Sequence, residues 1–270
     1  MSDTSYVKCL SSAVATTPRN GTLRQADLAK TLAERFGVPY MPRGDTGLEQ
    51  MFQQSGVDVL IIADDPVILR HRTATTPLFF HPSMGAQRME RLRRGEPDRL
   101  LTVMGLGIGD VVVDATVGLA SDALVFAHQV GPTGRVIGLE ASPYLYGVLM
   151  AVREFGANAY PQATELLRQI EIHFASHVAW LKAQPADSVD AVYFDPMFRM
   201  PAEASSSMAP LRAFAIHTAL SDEAVDEAKR VARRCVVIKE RPGSGVFLRH
   251  GLTPDSPRRK IAYGVWRKQL

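Results

Sequence analysis

From Asp110 onward, short apolar runs of strand character take turns with segments of helical spacing. Val111–Ala115 reads as a strand, Asp122–Val130 as a helix, Arg135–Glu140 as a strand and Pro143–Phe155 as a helix. Ile170–Ala175 and Ala191–Phe194 read as further strands. Asp222–Arg233 reads as a helix with Ser221 as its N-cap, and Cys235–Lys239 and Ile261–Trp266 as closing strands. Strands separated by helices are joined by crossovers, which give parallel pairing. The expected fold class is α/β, a doubly wound, mostly parallel sheet over residues 110–270.

Residues 1–82 read as a small N-terminal α/β domain. Val7–Val14 has strand character, and Leu23–Phe36 has helical spacing that ends at Gly37. Leu48–Gln54 reads as a short helix closed by Gly56, Val57–Ala63 as a buried strand, and Val67–Arg72 and Pro77–His81 as further strands. Residues 83–109 read as a basic helical connector, with Met84–Leu101 interrupted around Gly95-Glu96-Pro97.

A formal net charge of +3 over 270 residues does not by itself require a nucleic-acid partner. Its distribution is more suggestive. Arg88, Arg91, Arg93 and Arg94 form one cluster, and Lys229, Arg230, Arg233 and Arg234 another, followed by Lys239, Arg241, Arg258, Arg259 and Lys260. Such clusters either hold phosphates or form solvated helix faces. Cys9 and Cys235 are far apart, and the histidines have no ligand-type spacing to them, so neither a disulfide framework nor a metal is expected. No apolar run approaches a bilayer span, and Met1–Ser5 has neither a basic region nor an apolar core. A cytoplasmic protein with no membrane partner is the expectation.

The polar residues stand at strand ends. Gly105-Leu106-Gly107-Ile108-Gly109 precedes its strand, whereas a phosphate loop follows one, so it reads as an entry turn. After the strand comes Asp114-Ala115-Thr116-Val117-Gly118-Leu119-Ala120-Ser121-Asp122. Glu140 closes the next strand, Ser176-His177 follows the third, and Asp195-Pro196-Met197-Phe198 follows the fourth. An open α/β sheet binds ligands at these ends. Ala202–Ser207 is a small-residue loop directly beyond, either a substrate-side loop or a passive linker.

The segment Asp114–Asp122 resembles motif I of class I S-adenosylmethionine-dependent methyltransferases. Gly118 matches the central glycine, and Thr116 and Ala120 replace the outer two. Asp195-Pro196-Met197-Phe198 resembles the Asp/Asn-Pro-Pro-Tyr/Phe signature of methyltransferases that modify exocyclic base amines. Together with Leu139-Glu140, His173-Phe174-Ala175-Ser176 and Val236-Val237-Ile238-Lys239, these segments resemble the RsmJ family of small-subunit ribosomal RNA guanine-N2 methyltransferases over roughly residues 110–240. Ala120 and Ser121 depart from that family's usual Gly and Arg, and the first eighty residues differ from its usual N-terminal region, as in a divergent branch.

The resemblance implies a Rossmann-like methyltransferase domain with S-adenosylmethionine as cofactor. It implies that Asp114, Thr116, Gly118, Ser121, Asp122, Glu140, Ala141, Ser176, His177 and Asp195 line the cofactor. RNA is the implied partner. An exocyclic amine is a poor nucleophile, because its lone pair is delocalised into the ring. Asp195 and the Pro196 carbonyl would accept its N–H bonds and aim the lone pair, and Phe198 would stack on the base. Met197, Phe198, Arg199, Lys239 and Arg241 are the expected substrate contacts, with the basic residues on phosphates. The same turn serves adenine N6 or a protein or small-molecule amine, and a non-catalytic RNA-binding protein on this fold is a further alternative.

Overall fold

The computed structural model describes residues 6, 10, 12–196, 213–216, 219–256 and 258–269. In chain order the elements are β1 (Ala13–Thr16), α1 (Leu23–Phe36), α2 (Leu48–Ser55), β2 (Val59–Ile62), β3 (Ile68–His71), β4 (Leu78–Phe79), α3 (Ser83–Arg93) and α4 (Arg99–Met104). Then follow β5 (Val111–Asp114), α5 (Ser121–Val130), β6 (Arg135–Glu140), α6 (Pro143–Phe155), α7 (Pro161–Gln169), β7 (Glu171–Phe174), α8 (His177–Lys182) and β8 (Val189–Phe194). The chain ends with α9 (Asp222–Val231), β9 (Ala232–Glu240), α10 (Val246–Arg249), β10 (Thr253–Pro254) and β11 (Ala262–Arg267). No helix among the described residues is long and apolar enough to cross a membrane.

The chain forms two compact units. The first draws on Met1–His81, Ser142–Thr164 and Ala202–Ile216, the second on Pro82–Ala141, Glu165–Pro201 and His217–Leu270. In the first unit a four-stranded sheet has the order β1-β2-β3-β4, with β1 and β2 parallel and the rest antiparallel. Pairing of Ala13 with Val59 and of Thr16 with Ile62 sets β1 at Ala13–Thr16, later than the strand expected over Val7–Val14. Residues 7–9 and 11 lie outside the described set. Helix α1 starts on a capping box in which Thr22 and Gln25 satisfy each other's backbone N–H groups, and it stops at Gly37 with φ 62°.

Helix α6 follows β6 in the chain but groups with this first unit. Gly147 explains how it packs. A Cβ there would come within 2.1 Å of Phe36 Cε1, so only a glycine lets α6 lie against that ring. Two turns further on, Glu154 accepts from Arg35 Nη2 at 2.6 Å and from the Tyr6 hydroxyl at 2.6 Å. Burial, reinforced by Glu154, pushes the Tyr6 phenol well above its ordinary pKa, so it stays a donor.

The second unit holds a seven-stranded sheet in the order β10-β11-β9-β8-β5-β6-β7. Strands β5 to β9 are mutually parallel, and β11 and β10 add on antiparallel. Val113, Val192, Phe194, Val236 and Ile238 are buried together with Ala224, Val225, Ala228 and Val231 of α9. The expected doubly wound α/β sheet is thus present. Helix α9 ends two residues earlier than the expected Arg233. Ala232 turns extended (φ −78°, ψ 132°) and enters β9 directly.

The basic cluster at the end of α9 and the start of β9 bonds to groups of its own chain. Arg230 donates to the carbonyls of Leu181 and Gln184, and Lys229 to that of His250. Arg233 holds the Asp187 and Ser188 carbonyls and the Asp190 carboxylate, and Arg234 holds Asp110 at 2.5 Å. Gly105–Gly109 is the entry turn expected before β5, with Gly105 closing α4 at φ 64°.

Replacing Gly147 by Ala should lower unfolding stability by about 1–3 kcal/mol, the usual cost of overpacking a core. Urea melts of Gly147→Ala beside wild type check this, and equal midpoints would show that Phe36 yields freely.

Candidate active site

In the second unit the ends of β5, β6, β7 and β8 come level. Asp114 pairs with Gly138 of β6 and Tyr193 of β8, and Glu140 with Phe174 of β7. Strand order reverses at β5, which opens a crevice beyond the ends of β5 and β8. The loop leaving β5 is bonded to both neighbours. Thr116 Oγ1 accepts the Asp195 N–H at 2.7 Å, and the Gly118 N–H donates to Glu140 Oε2 at 3.0 Å. Gly118 has φ +55°, a conformation that strains any residue with a Cβ. Asp114 is 1% exposed and accepts the Thr116 N–H at 3.1 Å.

Asp122, in the first turn of α5, joins three elements. Arg88 of α3 donates to its Oδ1, the Tyr193 hydroxyl donates to its Oδ2 at 3.0 Å, and Lys239 Nζ lies 3.9 Å from Oδ2. Arg88 also grips Asp98, Nε to Oδ2 at 2.7 Å and Nη2 to Oδ1 at 2.9 Å, and its side chain is only 10% exposed. The reading of Arg88 as a phosphate ligand or solvated cation is therefore corrected. Gly85, one turn earlier on the same face, makes this possible. A Cβ there would lie 2.6 Å from the Ser121 carbonyl oxygen. Arg93 and Arg94 do remain on the exposed side, paired with Glu90.

Register places Lys239. Tyr193 pairs with Val237 and Phe194 with Ile238, so Asp195 and Lys239 come next on adjacent strand ends. Lys239 Nζ donates to Asp195 Oδ2 at 2.7 Å. The expected phosphate ligand thus faces a carboxylate of its own chain. Burial raises the Asp195 carboxyl above the usual carboxylate range, Lys239 opposes this, and Asp122 adds to it. Burial also works against the charge of Lys239, but Asp195 and Asp122 outweigh it and hold the ammonium above its ordinary value. Asp114 is pushed well up by burial and then by Asp122, Asp195 and Glu140.

The remaining expected residues are placed as follows. Ser121 and Ala141 are half-buried, at the start of α5 and just past β6, and Pro196 is half-buried just past β8. Ser176 is exposed at the N-cap position of α8. His177 packs edge-on to Phe194, with ring centroids 5.6 Å apart, and its burial lowers the imidazole pKa and keeps the ring neutral at pH 7. Arg241 is half-buried, and its backbone N–H donates to Glu240 Oε1 at 2.7 Å. Met197, Phe198 and Arg199 lie outside the described residues. Sequence reasoning missed Tyr193, although a tyrosine inside an apolar strand needs a partner for its hydroxyl and so signals one nearby.

Residues 48–260 match the family model described as "Putative SAM-dependent methyltransferase". The chain belongs to this family. It is 34% identical over 244 residues to the Bacillus subtilis protein named "Uncharacterized protein YpiP", covering 88% of this chain and 92% of that one. It is 31% identical over 243 residues to Ribosomal RNA small subunit methyltransferase J of Nitrosococcus oceani, covering 87% and 90%. The crystal structure of the SAM-dependent methyltransferase NGO1261 from Neisseria gonorrhoeae shares the fold, with a TM-score of 0.54 at 19% identity over 94% of this chain and 95% of that one.

The methyltransferase uses S-adenosylmethionine as its cofactor, and the residues present fit that molecule. Asp114, Asp122, Glu140 and Asp195 converge at this crevice, where burial first and then the other three carboxylates raise the Asp114 carboxyl, and a sulfonium cation would relieve the repulsive part. Gly118 leaves room, since a Cβ there would meet nothing nearer than the Thr116 carbonyl oxygen at 3.9 Å. The ligand has no pyrophosphate, so one glycine in this loop suffices where a dinucleotide needs more. We propose that Glu140 would hold the ribose hydroxyls, the 114–118 loop and Ser121 the amino-acid end, and Ala141, Ser176 and His177 the adenine.

Glu140→Ala should weaken S-adenosylmethionine binding by about 1–3 kcal/mol through lost charge-assisted hydrogen bonds. Calorimetry that found unchanged affinity would remove Glu140 from the site. Arg88→Met should destabilise the fold by about 3–5 kcal/mol, because it strands two buried carboxylates. Denaturant melts read this directly. A normally stable variant that had lost only RNA affinity would restore Arg88 to the surface.

Proposed function

We propose that the methyltransferase modifies an exocyclic amine of an RNA base, namely guanine N2 of small-subunit ribosomal RNA. The observation that carries this reading is the Asp195 carboxylate. It closes β8 at the reversal of strand order, with its backbone pinned by Thr116 and one oxygen taken by Lys239. A relative spanning nearly the whole chain is named a small-subunit ribosomal RNA methyltransferase, which supports the substrate class.

The chain's own residues do three things in this reading. Asp195 Oδ1 and the Pro196 carbonyl accept the two N–H bonds of the amine and turn its lone pair toward the cofactor. Phe198 stacks on the base. The bound cofactor supplies an electrophilic methyl group. The amine is neutral, so no strong base has to act first, and Asp195 Oδ1 is placed to take the surplus proton once the new N–C bond has formed. Orientation of this kind contributes up to about 7–11 kcal/mol.

Two measurements test the reading. Nucleoside mass spectrometry of small-subunit RNA from cells with and without the protein should show one N2-methylguanosine lost with it. Loss of N6-methyladenosine instead would move the substrate, and an unchanged profile would exclude this RNA. Asp195→Ala should slow single-turnover methylation at least about a hundredfold, near 2.7 kcal/mol of barrier, a far larger effect than on cofactor affinity. Wild-type turnover by that variant would reduce Asp195-Pro196 to a turn.

A further inference from the structure

We infer that Lys239 is a positioning residue for methyl transfer: its ammonium keeps the Asp195 carboxylate charged and fixes one of its oxygens, so that the other is presented to the substrate amine. The inference rests on the reading of Asp195 as the amine's acceptor.

Topology makes the pairing. Parallel pairing of β8 and β9 through Phe194 and Ile238 delivers Asp195 and Lys239 to adjacent strand ends, and the side chains meet at 2.7 Å through Oδ2 and Nζ. On its other edge Lys239 pairs in register with Tyr263 of β11. Asp122 Oδ2 stands 3.9 Å from the same ammonium, itself held by Arg88 and Tyr193. The ammonium is thus held by groups of its own chain and is not a flexible cation reaching for phosphate. Asp195 is fixed at both ends, because its N–H is bonded to Thr116 Oγ1 at 2.7 Å. Among the described residues Lys239 is the one cation bonded to this carboxylate.

The chemistry needs that cation. Asp195 faces Asp114 from the end of β5, Asp122 from α5, Glu240 from β9 and the Tyr193 phenol from its own strand. Burial and the Asp122 and Glu240 carboxylates favour a neutral carboxyl. A protonated Asp195 would turn an O–H toward the amine, where two N–H groups need acceptors. Lys239 opposes that protonation and occupies the oxygen the amine does not use.

The test uses the full chain with Lys239→Gln and Lys239→Arg, each alone and in an Asp195→Asn background. The first readout is melting temperature from pH 5 to 8, which needs no RNA. Folded Asp195 has a raised pKa, so the stability it contributes is lost as pH rises through that value. Removing Lys239 raises the pKa further. The deficit of Lys239→Gln should therefore widen with pH, that of Lys239→Arg should not, and the Asp195→Asn background should abolish the trend.

The second readout is single-turnover methylation against pH. Lys239→Gln should be slower by about tenfold or more at pH 7 and recover toward pH 9, its limb displaced by about 1–3 pH units. Lys239→Arg should keep the wild-type profile at a lower rate. In the Asp195→Asn background Lys239→Gln should cost nothing further. A wild-type pH profile for Lys239→Gln, with weaker RNA binding and a salt slope smaller by about one, would overturn the inference and make Lys239 a phosphate contact. If Lys239→Gln fails to fold, the double variant Asp195→Asn/Lys239→Gln carries no unmatched charge, and the profile of Lys239→Arg still decides. Full activity of Asp195→Ala would defeat the reading of Asp195, whereas the melting series would still report on the pair.

Discussion

The carboxylate of Asp122 governs the arrangement of the second unit. One oxygen takes Arg88, which also takes Asp98, and this brings the N-terminal turns of α4 and α5 to one guanidinium on α3. The other oxygen takes the Tyr193 hydroxyl and stands beside Lys239, which ties α5 to β8 and β9. A buried charge is tolerated only when it is matched and hydrogen-bonded, and here each member satisfies another. The same carboxylate acts on Asp195 in two opposed senses. It repels Asp195 directly, and it draws in the ammonium that keeps Asp195 charged.

This arrangement accounts for the sparse glycine motif after β5. In place of an outer glycine stands Thr116, whose hydroxyl makes the 2.7 Å bond to the Asp195 N–H, a bond that glycine lacks the atom to make. The loop gives up conformational ease and in return ties the end of β5 to the end of β8. Ala120 shows the cost, since it sits at φ 63° with a Cβ, a strain of about 1–2 kcal/mol.

What could be read from the sequence was whatever is local. Strand periodicity located β5, β6, β8, β9 and β11, and Asp114, Glu140 and Asp195 stood out because a polar residue ending an apolar run needs a reason. Helix α8, six residues long, was too short for a helical period to show, and α7 was not read either. The partners of Arg88, Lys239, Arg233 and Arg234 were hidden for a different cause. Each side chain is used by a residue more than forty positions away or on another element, and only strand register and the close helix approach at Gly85 bring them together. Clusters of arginine in the chain therefore looked like free surfaces, although the Arg88 side chain is only 10% exposed and Arg233 and Arg234 are bonded to carboxylates elsewhere in the chain.

Helix α6 carries a consequence for how this protein can change over evolutionary time. The strand that ends in Glu140 leads within two residues into Ser142, already part of the first unit, where Gly147 admits the Phe36 ring and Glu154 takes Arg35 and Tyr6. The N-terminal module is consequently not a detachable bead. Cutting the gene before residue 82 would leave a methyltransferase helix with a notch shaped for a missing ring and a carboxylate without its arginine and tyrosine partners. A lineage cannot exchange this module for another by simple fusion, because the newcomer would have to supply a phenylalanine and an arginine at matching places on a helix of its own.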